Sequence, residues 1–167
     1  MRRILFLALA AVLGAATAAH ASPAFAASPH FVRASAALAG ADLTVSFKEA
    51  GLNNTTLINY AATADATATY VCVNRGGANP SASNKTDVAG PVSATGTFDS
   101  GKNGEVTASL TISPPASTLA CPPGQRLETA QVAYTNVAIT DTTNAVSQAI
   151  AGSFDTGCLL PGVRGAC

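Results

Sequence analysis

The sequence predicts an all-β protein, a single antiparallel sandwich of about eight strands. Three observations lead there. Apolar residues alternate with hydroxyl-bearing ones over long stretches, helical periodicity is nearly absent, and turn-forming residues punctuate the alternating runs. A length of 167 residues fits one domain, and an apolar fraction of 48% argues against a disordered chain.

The first segment is set apart from the rest. Arg2 and Arg3 precede an uncharged apolar run from Ile4 to Ala19, followed by the small-x-small pairs Ala19/Ala21 and Ala24/Ala26. This pattern predicts a secretory signal peptide over residues 1–26, leaving residues 27–167 as one exported domain. Cleavage after Ala21 is the alternative. The run is short for a membrane span and no second one follows, so no stable membrane insertion is expected after cleavage. Arg2 and Arg3 leave with the signal, and the remaining chain is slightly acidic. That balance excludes a basic nucleic-acid binder, and no nucleic-acid partner is expected.

The strands follow in order. Phe31 to Leu38 is a first candidate, although the alanine-rich Ala34–Ala41 stretch could also be helical. Leu43, Val45 and Phe47 alternate with Thr44, Ser46 and Lys48. Thr56 to Ala64 and Ala66 to Asn74 read as further strands, the second placing Tyr70 and Cys72 on one face. A polar loop spans Gly76 to Asp87. Val92, Ala94, Gly96 and Phe98 alternate with Ser93, Thr95, Thr97 and Asp99, and Val106, Ala108, Leu110 and Ile112 alternate with Thr107, Ser109, Thr111 and Ser113. Ser100–Gly104 joins these two runs and reads as a hairpin loop. Each run has one apolar and one hydroxyl-rich face, as in a sheet covered on one side. Leu127 to Thr140 is a long strand whose parity changes, since Val132 and Tyr134 share one phase and Val137 and Ile139 the other; a bulge near Thr135–Asn136 reconciles them. An Asp141–Asn144 turn leads to a last strand, Val146 to Phe154. The spacing suggests an immunoglobulin-like sandwich in broad architecture, and the alanines of the middle strands predict a thin, filled core.

Four cysteines on an exported chain predict disulfides. Of the three possible pairings we favour Cys72–Cys121 and Cys158–Cys167. The second closes a small ring in which Pro161, Gly162 and Gly165 let the chain turn. Chain entropy assigns them roughly 4 and 3 kcal/mol respectively. Without a CxxC spacing or a nearby histidine, no metal site is expected, and no cofactor motif is present.

The search for catalytic groups is negative. His30 is the only histidine after residue 26 and lies where chains fray. The carboxylates Asp42, Glu49, Asp65, Asp87, Asp99, Glu105, Glu128, Asp141 and Asp155 are scattered and read as solvated surface charge. Exposed aromatics for stacking on sugars are scarce, since there is no Trp and Tyr70 and Tyr134 read as core. The expected function is therefore a secreted, extracellular, non-catalytic binding or cell-envelope-associated protein, with an extracellular protein or a cell-wall polymer as partner. A first alternative is an extracellular protease inhibitor. The proline-stiffened loop 113–123, anchored at Cys121, would present Ser117, Thr118, Leu119 and Ala120, with Leu119 projecting. A second alternative is a secreted hydrolase.

The segments ATATYVCVN (66–74), SGKNG (100–104), TLACPPGQ (118–125) and AYTNVAITDTTN (133–144), with the alanine-rich export signal, resemble small Ala/Thr-rich secreted β-proteins of actinobacteria. That resemblance covers roughly Leu43 to Phe154. It implies export and a β fold and assigns no functional residue. The general style is similar to the neocarzinostatin-type immunoglobulin-like apoproteins, from whose two short cysteine loops the wide Cys72–Cys121 interval departs.

Overall fold

The computed structural model describes residues 28–78 and 84–167. The expected signal peptide and the middle of the Gly76–Asp87 loop lie outside the described residues. Eight strands follow one another: β1 (His30–Ala39), β2 (Asp42–Ala50), β3 (Leu57–Val73), β4 (Lys85–Asp99), β5 (Val106–Ile112), β6 (Arg126–Asp141), β7 (Val146–Ala149) and β8 (Phe154–Asp155). The described residues hold no α-helix, and the alanine-rich stretch is the second half of β1 and its turn. Gly40 there has φ 65°, a conformation that suits a glycine in the two-residue connection to β2.

All pairings between the named strands are antiparallel. A three-stranded sheet has the order β1-β2-β5, and a five-stranded sheet the order β4-β3-β6-β7 with β8 also on β6. The two predicted runs between Thr56 and Asn74 are one continuous strand. Conversely, the predicted Val146–Phe154 strand is two short pieces, interrupted over residues 150–153, where Gly152 adopts φ 113°. β4 starts at Lys85, inside the predicted polar loop.

Ser100–Gly104 is not a hairpin loop. It carries the chain from the five-stranded sheet to the three-stranded one, because β4 pairs with β3 and β5 with β2. The reason lies in the loop's partners. Leu52 N donates to Gly104 O at 3.0 Å and Thr55 N to Gly101 O at 2.7 Å, docking it on the β2–β3 connection. A side chain at Gly104 would collide with the Leu52 carbonyl, 2.2 Å from the position its Cβ would take. Ser100 is buried, with its Oγ accepting from Thr56 N at 3.0 Å and donating to Asn53 O at 2.5 Å.

The inward parity of each strand fills the space between the sheets. β2 contributes Leu43, Val45 and Phe47; β5 Val106, Leu110 and Ile112; β6 Val132, Tyr134, Val137 and Ile139. β3 contributes Ile58, Tyr60 and then four consecutive inward alanines, Ala62, Ala64, Ala66 and Ala68. Large side chains come instead from its neighbours. Tyr134 pairs in register with Ala66 and reaches across the core to donate its hydroxyl to Ala41 O at 2.7 Å in the β1–β2 turn. Gly96 on β4 leaves room for Leu110 and Phe98, both of which would crowd a Cβ there.

Both expected disulfides form, Cys72–Cys121 and Cys158–Cys167. The second closes a C-terminal ring that packs on the outside of the five-stranded sheet. Leu160, Val163 and Ala166 cover Val71, Val73 and Ala130 in a small second apolar cluster. This explains why β3 is buried on both faces from Tyr70 to Val73.

Ser100 gives a direct test of the sheet-to-sheet crossover. Ser100→Ala strands two backbone partners and should destabilise the protein by about 1–3 kcal/mol. Ser46→Ala, on an exposed position, should stay within about 0.5 kcal/mol. Denaturant unfolding of the disulfide-intact protein measures both.

Candidate functional site

The outer face of the five-stranded sheet beyond the C-terminal ring carries the outward parity of β3, β4 and β6. Register aligns these residues in rows. Thr69 lies between Asp87 and Gln131, Thr67 between Ala89 and Ala133, Asp65 between Pro91 and Thr135, and Thr63 between Ser93 and Ala138. The face carries small side chains and is rich in hydroxyls. Several polar groups are locked to one another. Thr69 Oγ1 donates to Asp87 Oδ1 at 2.6 Å, Thr97 Oγ1 to Asn59 Oδ1 at 2.7 Å, and Gln131 Nε2 to Asp155 Oδ1 at 3.0 Å. The Gln131 amide and the Gly157 backbone N–H hold the Asp155 carboxyl below its ordinary range.

The centre of this face is marked by a backbone outlier. Among the described residues, three non-glycine residues have positive φ: Thr55, Asn136 and Ala145. Thr55 and Ala145 lie in connections, whereas Asn136 lies inside β6 with φ 52°. It is the predicted bulge, for the register passes from Thr63↔Ala138 to Asp65↔Thr135. The extra residue reverses the parity of β6, so that Tyr134 and Val137 both point inward. It also turns Asn136 outward, where its Nδ2 donates to Asp65 Oδ2 at 2.8 Å. Bulges commonly re-aim a side chain beside a functional site. An open cleft of about 410 Å³ lies along Thr63, Asp65, Pro91, Ser93 and Asn136. A second, of about 350 Å³, adjoins it at Asp65 and Pro91 and runs toward Thr67 and Ala133. The charged side chains between the Asn59 and Thr69 rows are carboxylates, which disfavours a polyanionic ligand. Paired Asp and Asn side chains combine acceptors and a donor in one plane, the chemistry that hydroxylated ligands need.

The proline-rich loop is fastened at two points. Cys121 is bonded to Cys72, and Tyr70, also on β3, donates its hydroxyl to Pro115 O at 2.6 Å. Within it Leu119 N donates to Ser117 Oγ at 3.1 Å. Thr118 and Ala120 are exposed, while Ser117 and Leu119 are half-buried.

Two carboxylates read as surface charge are not on the surface. Glu49 and Asp141 are each 0% exposed, at the end of the sandwich where Tyr60 is also buried. Asp141 is well served: its Oδ1 accepts from Thr143 N at 2.8 Å and Asn144 N at 2.9 Å, and its Oδ2 from Asn144 Nδ2 at 2.6 Å. Both Glu49 oxygens and the Tyr60 hydroxyl lack a hydrogen-bond partner among the described residues. Burial raises the Glu49 carboxyl to about 7, a shift that the Tyr60 hydroxyl opposes and the Asp141 carboxylate reinforces. Burial likewise pushes the Tyr60 hydroxyl far up, and Tyr134 to about 12. Parity carries the signal for Glu49, which continues the inward phase of Leu43, Val45 and Phe47, and for Asp141, which continues that of Val137 and Ile139. No group of three or more metal-ligating side chains occurs among the described residues.

No protein-family model, curated protein or solved structure matches this chain.

Asn136 carries the test of the bulge. Alanine pays a left-handed penalty that glycine does not, so Asn136→Ala should be about 1 kcal/mol less stable than Asn136→Gly. Paired denaturant melts measure the difference.

Proposed function

We propose that this chain is an exported, non-catalytic binding module. Its outer five-stranded face would dock on a neutral, hydroxylated polymer of the cell envelope. One observation carries the reading: a left-handed Asn136 in mid-strand, bonded to Asp65 at the junction of two clefts on a hydroxyl-rich face. The described tyrosines are buried and no described phenylalanine is exposed, so recognition would use hydrogen bonds in place of ring stacking. The non-catalytic part is supported by Glu49 and Asp141, which are buried and line neither cleft. Export is supported by the two disulfides, which are typical of extracellular proteins. The order β1-β2-β5 facing β4-β3-β6-β7 supports an immunoglobulin-like arrangement in which the fourth strand joins the third. A place among the small secreted actinobacterial β-proteins belongs to the same proposal.

A second reading, protease inhibition through 113–123, draws on the double anchoring of that loop at Cys121 and Pro115. Co-sedimentation with insoluble cell-wall polysaccharide separates the two. The wild-type protein should pellet, Asp65→Ala/Asn136→Gly should lose at least about tenfold in affinity, equivalent to about 1.4 kcal/mol, and Leu119→Ala should pellet like wild type. Unimpaired pelleting of the double variant would overturn the proposal. Inhibition of an extracellular protease that Leu119→Ala abolishes would establish the second reading instead.

A further inference from the structure

We propose that Glu49 is a proton-operated latch between the two sheets: it is held as the neutral acid where β1, β2, β3 and β6 converge, and its ionisation loosens that end of the sandwich. The inference is independent of the ligand suggested above. Its basis is positional. Glu49 sits on β2 of one sheet, while Tyr60 and Asp141 approach it from β3 and β6 of the other. His30, at the start of β1, is the basic group facing it, with its Nδ1–H given to Ser28 O at 2.8 Å. The in-register neighbours of Glu49 on β1 and β5 are Phe31 and Val106, which offer no polar contact.

The distribution of donors decides which carboxyl holds the proton. Three N–H groups converge on the oxygens of Asp141, an arrangement that suits a carboxylate. No N–H group reaches Glu49, whose buried oxygens face the Tyr60 hydroxyl and the Asp141 carboxyl of the opposite sheet. An anion there would sit in an apolar interior close to a second anion, with a single histidine to oppose both. A proton removes that cost, and the raised Glu49 carboxyl, at about 7, agrees. Ionisation would press on the Asp141–Asn144 turn, which is fastened to β3 by Thr142 N donating to Asn59 O at 2.8 Å and Asn59 N donating to Thr143 Oγ1 at 2.9 Å. It would also press on the start of β1, which packs over Gly51. A Cβ at Gly51 would lie 2.1 Å from Ser28 O, so that junction has no slack.

The sign follows from linkage. An open end exposes Glu49 with its ordinary carboxyl, which ionises first, so rising pH favours opening between the ordinary range and about 7 and changes it little above. Hydrogen exchange of the Asn59, Thr142 and Asn144 amides reads this directly, after correction for the intrinsic rate. The opening constant should rise about tenfold per pH unit between about 5 and 7, and Glu49→Gln should flatten the rise. Carboxyl-carbon NMR of the wild-type protein gives a second readout that needs no variant, and should show Glu49 titrating near neutrality. A Glu49 that titrates in the ordinary glutamate range, or wild-type and Glu49→Gln proteins with the same pH dependence of exchange, would overturn the latch.

Discussion

The two sheets meet through one aromatic contact on which much else depends. Phe47 on β2 lies 4.5 Å from Tyr60 on β3, centroid to centroid, and the pair is flanked by Phe31 at 6.0 Å and Phe98 at 6.1 Å from Phe47. These four rings come from both sheets and are four of the nine aromatic side chains that an aromatic-poor sequence has to offer. Edge-on and tilted ring pairs of this kind add about 0.5–1.5 kcal/mol each beyond the area they bury. Concentrating them at one end leaves the middle of the sandwich to alanines. Glu49 and Asp141 are buried at this same end, where the Glu49 carboxyl is raised to about 7.

The alanine stripe of β3 has consequences on both of its faces. Inward, Ala62 to Ala68 bury little area apiece, and the core relies on Leu43, Val45 and Ile112 from the facing sheet and Tyr134 from adjacent β6 to fill the gap. Outward, the same strand alternates to Thr63, Asp65 and Thr67, whose side chains are short. The outer surface of the sheet thus presents hydroxyls in register. Of the two disulfides, one fastens the proline-rich loop to β3, and the other holds an apolar ring over Val71 and Val73, which limits the polar face at one end.

Much of the site was legible in the residues, in an unequal way. The bulge at Asn136 could be read from the parity switch of β6, since only an extra residue lets Tyr134 and Val137 share a face. Its pairing with Asp65 could not, because the two are 71 residues apart and meet through strand register. Burial of Glu49 and Asp141 was also written in parity, yet charge pointed the other way. A carboxylate normally overrides an alternating pattern and turns to water. Here strand register and the surrounding rings prevailed, at the cost of unpartnered oxygens.

Alternation and turn residues by themselves determined that this protein is built from β-strands and where most of them run. Those are local or near-local properties, set by side-chain period and by the geometry of short loops. Which strand pairs with which was decided only by the tertiary structure. Ser100–Gly104 has the composition of a hairpin loop, but its docking on Leu52 and Thr55 sends β5 to the opposite sheet. Backbone pairing across long separations depends on the total burial that a whole topology achieves, and no single segment records that quantity.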